Sequence, residues 1–320
     1  MLPPYLPASD LETLIQRALS EDLVSPAAGL GDRAEDVTTV ATVPEGARAA
    51  AQIRAKEAGV AAGLEAGRRV FRAADESVDV TWAVAEDGAR VEAGDTVGRL
   101  EGAARGLLVA ERTALNVMQR MSGIATATRR MVERARPHGA EILDTRKTAP
   151  GLRALDKWAV RLGGGTNHRL GLHDLILIKD NHLAAAGGVA DALDAAHRYR
   201  EMHDADLQIE LETRTLAEVR AALEADEDGS GGPDIVLLDN MARATADGGV
   251  DVTTLREAVA LVDGRFRTEA SGNVTLGTVE AIARAGVDAI SSGALTHSVR
   301  ALDLSMSWEG VKRGGGERGR

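Results

Sequence analysis

The sequence predicts an α/β fold, an incomplete (β/α) barrel of about six to seven strands with a smaller N-terminal α+β sandwich domain. Two patterns point there. Beyond residue 140, short apolar runs alternate with helix-period stretches, the mark of a parallel sheet. Those runs also end repeatedly in polar or charged residues, and the C-terminal ends of its strands are where such a barrel builds its site. A doubly wound open sheet is the rival arrangement of the same elements.

The first third reads as a small mixed domain. Ser9 is placed to cap a helix over 9–23, with Glu12 three residues on, and Leu11, Leu14, Ile15 and Leu19 form its apolar stripe. Residues 25–46 read as loop, with Asp36-Val37-Thr38-Thr39 as an acidic-to-hydroxyl turn. From Ala47 to Gly102, short strands and turns surround one helix at 64–75; Val78 to Val84 and Arg90 to Leu100 alternate as strands do. Residues 105–135 form a long helical pattern through Leu108, Leu115, Met118 and Ile124, with Ser122-Gly123 as a point of interruption. It reads as the hinge, giving a domain over 1–114, completed by 298–320, and a barrel over 115–297.

The alternating region follows in order. Ile142-Leu143 runs into Asp144-Thr145-Arg146-Lys147, Leu175–Ile178 into Lys179-Asp180-Asn181, and Leu207–Leu211 into Glu212-Thr213. Ile235–Leu238 runs into Asp239-Asn240, Phe266–Glu269 into Ala270-Ser271-Gly272-Asn273, and Ala289-Ile290 into Ser291-Ser292-Gly293. Helical patterns separate them at 189–202, 215–225, 252–262 and 275–285. Segments 224–232 and 242–250 read as acidic mobile loops, and Gly314 to Arg320 as a disordered tail.

Composition narrows the chemistry. The chain carries 38 Lys and Arg against 49 Asp and Glu, a net charge of −11, which argues against general nucleic-acid binding. The absence of cysteine removes disulfides, thiolate nucleophiles and Cys-ligated metal clusters. Apolar runs are far too short for a membrane span, and the N-terminus shows no signal-peptide pattern, so a cytoplasmic location is expected. Acid-rich, lysine-poor and Ala/Arg-rich usage points to a high-salt organism with a GC-rich genome.

Within 144–182 the charge reverses: Arg146, Lys147, Arg153, Lys157, Arg161, Arg169 and Lys179 face only Asp144, Asp156, Asp174 and Asp180. A positive island in an acidic chain is a candidate site for an anion. The turns Ser271-Gly272-Asn273 and Ser291-Ser292-Gly293-Ala294, each after a strand and before a helix, suit phosphate held by backbone N–H groups; ordinary turn chemistry accounts for either one in isolation. Glu212 and Asp239 at successive strand ends suit Mg²⁺ arriving with a polyphosphate, ribose hydroxyls, or salt bridges within the island. His168, His173 and His182 lack a zinc-ligand spacing, and there is no Gly-x-Ser-x-Gly elbow. The inventory fits electrostatic stabilisation of an anionic leaving group.

These residues resemble the quinolinate phosphoribosyltransferase family, also called nicotinate-nucleotide pyrophosphorylase (carboxylating). The matching pieces run in order: Glu111 to Asn116, Asp144 to Arg153, Gly163 to Arg169, Ile178 to His182, Glu212-Thr213, Leu238 to Asn240, Glu269 to Asn273 and Gly293 to Ser298. The resemblance implies a glycosyltransferase of NAD biosynthesis that joins quinolinate to phosphoribosyl pyrophosphate (PRPP), giving nicotinate mononucleotide, pyrophosphate and CO₂. It implies that Arg146, His168, Arg169 and Lys179 hold the two quinolinate carboxylates. Arg112 would join them from the partner subunit of a homodimer, alone or within an oligomer of dimers. Lys147 would lie between quinolinate and the activated sugar, and with Glu212 and Asp239 would form the catalytic set. Glu212 and Asp239 would meet ribose and Mg²⁺, directly or indirectly. Ser271, Gly272, Asn273, Ser292, Gly293 and His297 would meet the phosphates.

Overall fold

The protein was analysed as a computed structural model that describes residues 2–24, 35–227, 231–246 and 249–312. The expected tail at 314–320 and parts of the expected loops at 25–46, 224–232 and 242–250 lie outside the described residues. The chain divides into two compact units. The first comprises Met1–Thr126, Ala154–Gly163 and Val299–Arg320; the second comprises Ala127–Arg153 and Gly164–Ser298. The expected boundary at 114/115 falls inside one unbroken helix, Ala104–Ala135. Among the described residues no helix is long and apolar enough to cross a membrane.

The first unit is built on a four-stranded antiparallel sheet ordered Leu304–Lys312, Arg48–Ala55, Thr96–Ala103, Asp79–Trp82. Arg48–Ala55 alternates as a half-buried strand must: Ala49, Ala51, Ile53 and Ala55 face the core. The first helix begins at Ala8 rather than behind Ser9. Pro7 takes the cap position at φ −56, a value already suited to a helix start, and no side-chain cap is made. Its stripe is as expected, with Leu11, Ile15 and Leu19 buried.

Asp36 opens a short helix, Val37–Thr42, instead of a turn. Its carboxylate accepts the Thr39 N–H at 3.0 Å, and the Thr39 N–H and hydroxyl hold it below the usual aspartate range. The helix Leu64–Ala74 is capped from a distance by Asp87, which accepts the Gly63 N–H at 2.8 Å.

Ser122-Gly123 does not interrupt the long helix. Ser122 Oγ accepts the Ala62 N–H at 2.9 Å, and a Cβ on Gly123 would overlap the Arg300 carbonyl and stand 2.9 Å from Ala301 Cα. The small pair is there to admit neighbouring backbone, not to bend the helix.

The second unit contains six parallel strands: β1 (Glu141–Leu143), β2 (Ile176–Ile178), β3 (Ile209–Thr213), β4 (Ile235–Asp239), β5 (Arg267–Ser271) and β6 (Ala289–Ser291). They are ordered β1-β6-β5-β4-β3-β2, with helices or turns between consecutive strands. Alternate residues Ile142, Ile209, Leu211, Val236, Leu238, Ala270 and Ile290 join one core with Leu193, Val219, Leu255, Val262 and Ile282 of the helices. The opposite face therefore carries Leu143, Glu210, Glu212, Leu237, Asp239, Glu269 and Ser291.

That sheet is rolled. β1 and β3 are four strand spacings apart in order, about 19 Å if the sheet were flat. Yet Thr166 forms a parallel bridge with Leu143 of β1, and two residues later His168 Nε2 lies 2.9 Å from Glu210 of β3. No pairing between β1 and β2 is present among the described residues, so the barrel is incomplete, as the alternation predicted.

Gly123→Ala is expected to destabilise the chain by about 1–3 kcal/mol, because the contact is with backbone that cannot rotate aside. Thermal denaturation followed by circular dichroism would measure it; a melting point unchanged from the parent refutes the close-approach account.

Candidate active site

The end of β1 is organised by a buried carboxylate. Asp144 is fully buried; its Oδ1 accepts the His168 N–H at 2.9 Å and its Oδ2 accepts Asn167 Nδ2 at 2.6 Å. This ties the 166–169 segment to the strand tip from which Arg146 and Lys147 emerge. Arg169 and Arg146 are close enough to repel. Burial first, and then the Arg146 charge, lower Arg169 below the ordinary arginine value, against the opposing pull of Glu210 and Asp174. Arg146 Nε is buried without a hydrogen-bond partner among the described groups. Two neighbouring guanidiniums, one with an unused buried donor, concentrate positive charge at this strand end.

The ends of β2, β3 and β4 carry interleaved charge. Lys179 follows β2 and its ammonium contacts Glu212 Oε2 on β3. Asp239 ends β4; burial, followed by the Glu212 charge, raises its carboxyl above the usual aspartate value. Asn240 Nδ2 donates to Asp239 Oδ2 at 2.8 Å. Arg214, absent from the expected set, spans this region: Nη1 lies 2.7 Å from Asp180 Oδ2, Nη2 3.1 Å from Glu212 Oε1 and Nε 3.6 Å from Asp239 Oδ2.

Of the two expected phosphate turns, 291–294 lies between a strand and a helix as expected, and 271–273 does not. The helix expected from 275 forms only at Val279–Ala283, so Ser271 ends β5 and Gly272-Asn273 bends away from it without forming a helix N-terminus. Gly272 has φ 89 and a Cβ there would overlap the Asn240 amide, while Asn273 (φ 55) donates Nδ2 to the Ala242 carbonyl at 2.9 Å. Gly293 begins the short helix Ala294–His297; a Cβ on it would meet Lys147 Cδ at 2.8 Å and the His297 ring at 3.0 Å. Thr296 Oγ1 donates to the Lys147 carbonyl at 2.9 Å. Exposed Lys147 and His297 thus meet over half-buried Gly293. Ser292 is buried, its N–H donating to the Leu143 carbonyl at 3.0 Å.

His168 stands apart from its expected use. Its Nδ1 accepts the Arg169 N–H at 2.7 Å, and its Nε2 faces Glu210 at 2.9 Å and Glu269 at 3.6 Å. The ring points into the barrel, and both nitrogens are engaged within the protein. With Nδ1 accepting, Nε2 carries the proton in the neutral ring. Burial and the Glu210 charge push Glu269 up to about 7, against the influence of His168, Ser291 and Arg267. These three groups are also near enough together for a metal ion.

Glu210 and Glu269 were not singled out from the sequence. The available signal was acid alternation: a parallel strand buried on both faces reads as continuous apolar residues, and Ile209-Glu210-Leu211-Glu212 does not.

Not all of the basic island belongs here. Lys157, fully buried, and exposed Arg161 lie on the helix Arg153–Leu162 in the stretch assigned to the first unit. Arg153 braces the island instead, donating Nε to Thr148 Oγ1 at 3.2 Å. Arg112 is exposed on the long helix in the first unit.

Comparison with known proteins decides the family. The model for the C-terminal domain of quinolinate phosphoribosyl transferase matches residues 124–307, and that for the N-terminal domain matches 36–122. The chain belongs to the quinolinate phosphoribosyltransferase family. It is 50% identical over 304 residues to quinolinate phosphoribosyltransferase [decarboxylating] 2a, mitochondrial, of Nicotiana tabacum, covering 95% of this chain and 84% of that one. It is 44% identical to nicotinate-nucleotide pyrophosphorylase [carboxylating] of Mycobacterium leprae, covering 91% and 95%. The crystal structure of NadC from Streptococcus pyogenes, 37% identical, superposes with a TM-score of 0.82 over 97% of this chain and 100% of that chain. Family membership and fold agree: the chain has a parallel-sheet unit and a separate antiparallel-sheet unit.

The Glu269 environment has a measurable consequence. The unfolded chain releases this proton near the ordinary glutamate value of 4.5, whereas the folded chain keeps it to about pH 7. Folding therefore loses stability from this group as pH rises between those values. Glu269→Gln is expected to flatten that fall. Guanidinium unfolding of parent and variant from pH 5 to 8 measures it, and parallel curves for the two proteins would refute the assignment.

Proposed function

We propose that this chain transfers the phosphoribosyl group of PRPP to quinolinate with loss of CO₂, giving nicotinate mononucleotide and pyrophosphate for NAD biosynthesis. The observation that carries the reading is the crowded Arg146–Arg169 pair at one strand end, in the same sheet as the Glu212 and Asp239 carboxylates. One cationic half suits a dicarboxylate, and one acidic half suits a sugar and a hard cation.

In this mechanism Arg146, Arg169 and Lys179 hold the two carboxylates of quinolinate, and Arg112 of the second subunit of a homodimer completes that subsite. His168 acts through its grip on the Arg169 backbone. The pyridine nitrogen attacks the anomeric carbon, forming the N–C bond as the C–O bond to pyrophosphate breaks. Because the substrate is its own nucleophile, no activated serine or cysteine is needed. The ring nitrogen, now positive, stabilises the electron pair left on the adjacent carbon when its bond to CO₂ breaks, and that pair then takes up a proton. Lys147, lying over Gly293 beside His297, offers its charge between the dicarboxylate and the departing pyrophosphate. Ser271, Gly272, Asn273, Ser292 and Gly293 line the phosphate side with His297.

Glu212 and Asp239 provide hard oxygen donors, and their mutual repulsion calls for a cation, so they fit Mg²⁺. That ion, arriving with PRPP, would neutralise charge on the pyrophosphate. The acidic composition is read as adaptation to high salt, with activity maintained as KCl approaches molar levels.

Quinolinate-dependent CO₂ release with PRPP is expected, with little turnover of nicotinate; preference for nicotinate would overturn the reading. Lys147→Ala should lower kcat/KM by about 100-fold or more. Arg112→Ala should weaken quinolinate use, and mixing it with Lys147→Ala should restore part of the activity. No restoration in verified mixed dimers would remove the shared-site assignment.

A further inference from the structure

We infer that Arg214 is the resident counter-ion of the Glu212–Asp239 carboxylate pair, holding it in the substrate-free chain and giving way to the divalent cation that accompanies the phosphorylated sugar. The inference rests on the reading of those two carboxylates as the metal-and-ribose side of the site.

Arg214 stands just beyond β3, two residues past Glu212, and its backbone N–H donates to Glu218 Oε2 at 2.6 Å. From this fixed point its guanidinium meets a different carboxylate with each nitrogen. Nη1 takes Asp180 at 2.7 Å, Nη2 takes Glu212 Oε1 at 3.1 Å, and Nε approaches Asp239 Oδ2 at 3.6 Å. The other Glu212 oxygen is held by Lys179, and Asp239 Oδ2 also accepts from Asn240 at 2.8 Å. Three of the carboxylate oxygens a hard cation would want are therefore in contact with the protein's own donors.

A divalent ion on the pair would face the guanidinium across the same oxygens, and like charges at that spacing repel. Arg214 has a way out. Its side chain is 50% exposed, whereas Glu212 is 6% exposed, so the cation can move while the carboxylate stays. The 2.7 Å contact to exposed Asp180 gives the guanidinium a tether outside the pair. Arg214 thus stabilises two neighbouring carboxylates before substrate arrives, and it weakens their affinity for a bare metal ion.

The test is Mn²⁺ binding to the substrate-free protein, followed by the electron paramagnetic resonance signal of free Mn²⁺. Arg214→Gln keeps the side chain polar and removes its charge. It should bind Mn²⁺ about threefold to tenfold more tightly than the parent, the scale for loss of a partly exposed ion-pair partner. Arg214→Lys should fall between the two, since one ammonium cannot face three carboxylates. Adding Asp239→Asn to Arg214→Gln should abolish the gain. An Arg214→Gln protein that binds Mn²⁺ no more tightly than the parent, or a gain that survives Asp239→Asn, overturns the inference. Circular dichroism melts confirm that each variant is folded. Turnover of quinolinate and PRPP by the parent is measured separately, so failure of the functional reading is told apart from failure of the counter-ion role.

Discussion

One imidazole shared by two buried carboxylates sets the geometry of the second unit. Glu210 on β3 and Glu269 on β5 both point inward, and neither can be left charged beside the other without cost. His168 Nε2 stands 2.9 Å from Glu210 and 3.6 Å from Glu269, and burial with the Glu210 charge raises the Glu269 carboxyl to about 7. The same ring accepts the Arg169 N–H, so the inward-facing charged group and the position of Arg169 are one arrangement. Asp144 fixes the segment from the opposite side, through His168 N–H and Asn167.

Above that layer, charge is used without being neutralised evenly. Arg146 and Arg169 crowd each other on one side, while Glu212 and Asp239 repel on the other. Lys179 and Arg214 bridge toward the acidic side. On the proposed reading, such a surface favours binding of an anion and a cation together. The absence of a thiol or serine nucleophile follows from a substrate that carries its own nucleophilic nitrogen.

Much of the barrel was legible from residue order. The apolar runs into Lys179, Asp239 and Ser291-Ser292 fall at β2, β4 and β6 because a parallel strand leaves a clear apolar run between turns. Edges were less legible: β3 and β5 reach Thr213 and Ser271, since Glu212 and Ser271 face inward within the ladder rather than beyond it. Ser122-Gly123 looked like a helix break, yet its smallness serves packing against Ala62 and Arg300. Local propensity cannot distinguish a residue that bends a helix from one that admits a neighbour. The cationic island was visible as composition, but Lys157 and Arg161 sit on a helix grouped with the first unit, because linear proximity is not proximity in the fold.

By itself the sequence determined the alternation of strands and helices, the cationic character of the 144–182 stretch and the family whose motifs it shares, because these depend on residue type and order. Only the tertiary structure decided that His168 faces inward to Glu210 and Glu269, and that Arg214 spans Asp180, Glu212 and Asp239. Both bring together side chains from segments separated in the chain, His168 with Glu210 and Glu269, and Arg214 with Asp180 and Asp239. Coulomb forces and desolvation act over distances in space, and a rolled sheet sets those distances only once it has closed.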